Sequence, residues 1–142
     1  MARRAVASLA AVRIARELVD EIVAHARREA PNECCGMVAA RDGRAVQVHP
    51  ATNAAASPLR YQVEPHEQYR IETAIDDAGL ELGAIYHSHT RSAPYPSHTD
   101  INLAFHPDAI YLIVGLAGDA PEVRAYRIVD GRVDDAELVI EE

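Results

Sequence analysis

Ile85-Tyr86-His87-Ser88-His89 is followed, after a seven-residue loop over 90–96, by Ser97-His98-Thr99-Asp100, and these two runs organise the chain. Residues 82–89 form a strand-length run, apolar on both faces until the histidines, as a covered strand requires. Side chains two apart on a strand share a face, so His87 and His89 project together while Ser88 points away. Two imidazoles at that spacing can converge on one zinc ion, provided that a third ligand arrives from elsewhere. Asp100 is the natural candidate, because it opens a helix just past the loop. Three protein ligands leave a fourth position open, the catalytic arrangement rather than the structural one.

Ser97 stands in a capping-box relation to Asp100. Its hydroxyl has three uses open to it: capping the helix, facing the metal pocket, or binding a water in that pocket. The helical zinc-peptidase motif, two histidines four apart with a glutamate between them, is absent, so a base must come from elsewhere. Spacing alone does not choose Glu33 over Glu64, Glu67 or Glu72.

Upstream of this stretch, residues 12–14 read as a short edge strand. Ala15, Leu18, Val19, Ile22, Val23 and Ala26 then recur at helical spacing, ending before Pro31, with His25 beside the apolar boundary as a surface residue. Residues 34–40 and 45–49 are apolar runs joined through Asp42-Gly43, a strong hairpin signal. A loop over 53–58 and a short strand over 59–63 lead to a helix with Pro65 at its first position and Gly79 at its end. Downstream, Ile101, Leu103, Ala104 and Phe105 read as a short helix stopped by Pro107. Residues 109–116 suit the middle of a sheet, and 123–129 with 132–140 form a last hairpin around Asp130-Gly131.

The order is that of an α/β domain, a mixed β-sheet with helices on its faces. With 142 residues the chain fits one domain, placed at 12–142, with residues 1–11 as an irregular N-terminal extension. Fourteen basic against 22 acidic residues give a formal charge of −8, which argues against nonspecific nucleic-acid binding. No run is long enough to span a bilayer, and adjacent Cys34 and Cys35 suit buried apolar positions better than a disulfide. A cytoplasmic protein is expected. His49, His66 and His106 lie at loops or helix ends without partners.

His87-x-His89, seven residues, Ser97, two residues and Asp100, with Glu33 before Cys34-Cys35-Gly36, resembles the JAMM metallopeptidase signature of the MPN+ domain. The likeness extends from the helix after Ala15 to the last hairpin. Within the family the chain looks most like compact bacterial enzymes that act on ubiquitin-like sulfur-carrier proteins. The segments carrying that likeness are Tyr86-His87-Ser88-His89-Thr90, Tyr95-Pro96-Ser97 and Tyr126-Arg127-Ile128-Val129-Asp130-Gly131.

The resemblance implies an MPN fold, cytidine-deaminase-like, and one zinc ion per chain on His87, His89 and Asp100. It implies Glu33 as general base and later acid, and Ser97 as a hydrogen-bond donor to the oxyanion. Capping and donation by Ser97 are expected to coexist only if separate parts of the residue serve them, since a hydroxyl aimed at the pocket is poorly placed to accept a cap bond. The implied reaction is hydrolysis after the carrier's C-terminal Gly-Gly, releasing cysteine. Trimming of other residues from a carrier tail and a non-catalytic MPN scaffold are the alternatives. Tyr95 and His98 are candidate substrate-pocket residues, and loops 53–59 and 90–96 the candidate walls. The implied partner is the carrier, with a cysteine synthase linked indirectly and a homodimer left open.

Overall fold

The computed structural model describes residues 11–142. Its elements run β1 (Ala11–Ala15), α1 (Arg16–Glu29), β2 (Cys35–Arg41), β3 (Arg44–Ala51), α2 (Pro65–Asp77), β4 (Glu81–His89), α3 (His98–Asn102), β5 (Ile110–Gly115), β6 (Glu122–Val129) and β7 (Arg132–Glu141). The mixed sheet has the order β1-β3-β2-β4-β5-β6-β7 and closes on itself through a parallel β1–β7 pairing. Both hairpin turns form as expected. Asp42 and Gly43 in one, and Asp130 and Gly131 in the other, all have positive φ, the geometry that matches the twist of paired strands.

Period-two alternation divides the core between the two faces. Val38, Ala84, Tyr86, Ile110, Leu112 and Val114 point to the face packed by Val19, Ile22 and Ala26 of α1. Their neighbours Met37, Ala39, Ile85, Tyr111 and Ile113 point the other way, against Ile71 and Ile75 of α2. Burying each such isoleucine contributes roughly 1.5–3 kcal/mol, which is what seats both helices. His87 and His89 continue the Ile85 row, so the α2 side of β4 carries the site.

Four local expectations are corrected. Residues 12–14 are not an edge strand: β1 lies between β3 and β7, parallel to both, because its short apolar run closes the sheet. Residues 59–63 are not a strand; a single bridge from Asn53 to Val63 is all that pairs there. The helix after Ser97 stops at Asn102, one turn long, and leaves Phe105 72% exposed. His25 is 4% exposed rather than on the surface, its Nδ1 2.7 Å from the Tyr86 hydroxyl. A tyrosine buried on the α1 side needs a polar partner, and His25 supplies it. Of the segment 1–11 expected to be irregular, residues 1–10 lie outside the described residues, and Ala11 opens β1. No helix among the described residues is long and apolar enough to cross a membrane.

Candidate metal centre

Asp100 reaches the histidines because α3 begins at Ser97 with a complete capping box. Ser97 Oγ accepts from the Asp100 N–H at 3.0 Å, and Asp100 Oδ2 accepts from the Ser97 N–H at 2.9 Å. The cap bond uses a lone pair of the hydroxyl and leaves its hydrogen to donate elsewhere. Capping and donation by Ser97 are therefore compatible, because a lone pair serves one and the hydrogen the other.

The same Asp100 Oδ2 lies 3.0 Å from His87 Nε2 and 3.0 Å from His89 Nε2, and those two nitrogens are 3.3 Å apart. Three nitrogens thus crowd one carboxylate oxygen, more than its lone pairs accommodate. Metal–ligand distances of about 2.0–2.1 Å in tetrahedral geometry require ligand atoms about 3.3 Å apart, close to the spacing found. All three residues are buried, and among the described residues theirs is the group of metal-ligating side chains that converges within 4.8 Å. The donor set of two imidazoles and one carboxylate fits zinc, and three protein ligands are the complement of a catalytic site.

Electrostatics differ sharply across so small a cluster. Burial raises the Asp100 carboxyl, but hydrogen bonds from His87 and His89 outweigh it and hold the group well below the usual range. Burial lowers His87, which is only 1% exposed, and Asp100 does not offset it. Burial also acts on His89, yet its bonds to Asp100 and to the Ala93 carbonyl raise it on balance. That bond, from Nδ1 at 2.8 Å, leaves Nε2 for the metal and fixes the ring.

Glu33 enters along the strand register. Cys35 pairs with His87 in antiparallel β2 and β4, and Ser88 N–H bonds the Cys34 carbonyl at 3.3 Å. Continuing that register sets Glu33 opposite His89, and alternation puts both on the same side of the sheet. Its side chain is 4% exposed and Oε1 has no hydrogen-bond partner. Burial pushes the carboxyl up to about 8; the His89 charge opposes this and the Asp100 charge adds to it. Glu64 and Glu67 are spent elsewhere: Glu64 caps α2 and Glu67 binds Thr52. Glu72 lies 3.5 Å from His106 and Glu64 lies 3.1 Å from His66, so neither histidine is without a partner.

Two residues escaped the sequence reading. The Asn53 amide is saturated: Oδ1 accepts from Ala55 and Gln62, and Nδ2 donates to the carbonyls of Arg60 and Glu33, each at 3.0 Å. It ties the Glu33 segment to the 53–63 loop. Tyr61 lies between its two bonded loop positions and stacks on His87, with ring centroids 4.3 Å apart and planes 20° apart. A lone asparagine in a loop gives no hint of either contact.

Of the pocket candidates, Tyr95 is 54% exposed with its ring edge-on to Tyr126, and His98 is exposed on α3. The 90–96 loop is pinned by the Tyr126 hydroxyl, which donates to the Pro94 carbonyl at 2.6 Å. Cys34 and Cys35 are free and buried, and burial pushes their thiols up to about 11 and about 12. Tyr61 also lines a cavity of about 340 Å³, together with the buried Met37, Ile85 and Tyr111 and the exposed Leu103 and Phe105.

Comparison with known proteins agrees with this geometry. The model for prokaryotic homologs of the JAB domain matches residues 15–129. The chain is 45% identical over 120 residues to the CysO-cysteine peptidase of Mycobacterium tuberculosis, covering 82% of each protein. It is similar to a solution structure of a Desulfitobacterium hafniense protein, with a TM-score of 0.82, 32% identity, and 92% and 93% of the two chains covered. It shares its fold with a JAB1/MPN domain protein from Archaeoglobus fulgidus, with a TM-score of 0.60, 19% identity, and 90% and 99% covered. With His87, His89 and Asp100 closed around one point inside that fold, the chain belongs to the prokaryotic JAB-domain family and is a zinc metallopeptidase of the JAMM type.

Proposed function

We propose that this chain hydrolyses the amide bond after the C-terminal Gly-Gly of a ubiquitin-like sulfur-carrier protein and releases cysteine. His87, His89 and Asp100 hold one zinc ion per chain. The observation that carries the reading is the convergence of these three donor atoms within 3.0–3.3 Å of one another; Glu33, opposite His89 in the strand register, carries a buried, unpartnered oxygen. The choice of substrate is supported by the 45% identity to the mycobacterial CysO-cysteine peptidase.

A zinc ion held by His87, His89 and Asp100 would supply Lewis acidity at this point. Glu33 takes the proton from the attacking water as its oxygen adds to the carbonyl carbon of the last glycine. Glu33 then returns that proton to the amine nitrogen as the C–N bond breaks, so one carboxyl serves as base and then acid. Burial raises the metal-free carboxyl, and the charge of a bound zinc ion would return it toward the carboxylate that a base requires. The Ser97 hydroxyl hydrogen, not used by the cap, donates to the oxyanion. Asn53 and the Ser57 carbonyl hold the Glu33 backbone against drift. The carrier tail lies extended between the 53–59 and 90–96 loops, where Tyr95 and His98 contribute to the walls.

Incubation with carriers ending in Gly-Gly-Cys or in longer tails, read by intact mass, tests this reading. Chelator-sensitive loss of one cysteine residue is the expected result. Loss only of longer extensions would favour tail trimming, and turnover untouched by thorough zinc removal would reject the mechanism.

A further inference from the structure

We propose that Tyr61 is a positioning residue of the metal centre, its ring holding the His87 imidazole by stacking where no hydrogen bond does so. The inference rests on His87 being a metal ligand, as above.

An imidazole that binds a metal through one nitrogen is ordinarily steered through the other. His89 follows this pattern, with Nδ1 bonded to the Ala93 carbonyl at 2.8 Å. His87 does not: its Nδ1 is buried and has no hydrogen-bond partner. Rotation about the bond joining the ring to Cβ is a torsion with broad wells, so an unanchored ring can swing Nε2 away from its target. The nearly parallel Tyr61 ring, 4.3 Å away, meets the imidazole across its face and resists that swing. It keeps Nε2 aimed where Asp100 Oδ2 and His89 Nε2 converge. Coordination withdraws electron density from an imidazole, so the electron-rich face of a phenol attracts it further.

The stacking ring is itself held. Asn53 bonds the Arg60 carbonyl and the Gln62 N–H on either side of Tyr61, and the Ala54 N–H bonds the Gln62 carbonyl at 2.7 Å. The remaining Asn53 donor reaches the Glu33 carbonyl, so the ring on the ligand and the general base share one support.

The test compares Tyr61→Phe, Tyr61→Leu and Tyr61→Ala in the whole protein. Zinc affinity is read by competition with a chromophoric chelator, and metal-free melting by circular dichroism. A flat ring is the property at stake, so Phe should stay within about threefold of the parent. Leu and Ala should bind zinc about 10–100-fold more weakly, as loss of an orienting partner does. The Leu variant should melt near the parent when metal-free, which separates aim from folding. Leu matching Phe would overturn the proposal, since any filler of that volume would then serve. So would full affinity in the Ala variant; should Ala not fold, the Leu and Phe pair decides. A parent that binds no zinc would remove the ligand assignment as well, a result distinct from a binding parent with an indifferent Tyr61 series.

Discussion

Glu33→Gln probes the centre with and without metal. In the metal-free protein the Glu33 carboxyl is pushed from an ordinary 4.5 to about 8. Between those values the folded state holds a proton that the unfolded state has released, so stability falls as pH rises through that window. Below 4.5 both states are protonated and the penalty vanishes; above 8 it is complete. At about 1.4 kcal/mol per pH unit the interval caps the loss at about 5 kcal/mol. That is a large share of the 5–15 kcal/mol typical of a domain. Glutamine keeps the shape without the charge, so the variant lacks this slope. Urea unfolding with chelator present, at pH 5 and pH 8.5, should show the parent losing several kcal/mol more than the variant between the two. Zinc should suppress the parent's slope, because a nearby cation favours the carboxylate. Turnover of zinc-loaded Glu33→Gln should fall about 10²–10⁴-fold with zinc still bound, the usual contribution of a proton-transfer group. Equal pH slopes in parent and variant would refute the burial argument, and undiminished turnover would refute the role as base.

Zinc at about 100 times its Kd should add about 2.7 kcal/mol of stability, seen as a rise in Tm; Asp100→Asn should abolish most of that rise. Asn53→Ala removes four hydrogen bonds around a half-buried amide and should cost about 1–3 kcal/mol in urea unfolding. Its kcat should fall, since it loosens the Glu33 backbone, and its KM should rise as well, since the same amide shapes the loop proposed to wall the carrier tail. At Gly36 a Cβ would overlap the Tyr86 ring, which His25 pins from α1. Gly36→Ala should therefore cost about 3 kcal/mol or more, and in a double-mutant cycle with Tyr86→Ala the combined cost should be less than the sum of the two.

The site's ligands were legible because they are local. His87 and His89 share a face by strand periodicity alone, and a capping box sets Asp100 against Ser97 within one turn. The Asp-Gly hairpins and both amphipathic helices were legible for the same reason, as propensity and period act over a few residues. His25 shows where that reasoning fails: beside the boundary of an apolar stripe it reads as surface until Tyr86, 61 residues away, is placed against it.

Sequence by itself thus determined the α/β class, the histidine pair, and the aspartate cap that aims a carboxylate. Tertiary structure decided everything that depends on register between distant strands and loops. The β2–β4 pairing brings Glu33 opposite His89, the β1–β7 pairing closes the sheet, and Asn53 carries Tyr61 onto His87. Each of these is a long-range contact whose two partners have no shared periodicity to announce them, so only the folded chain brings them into contact.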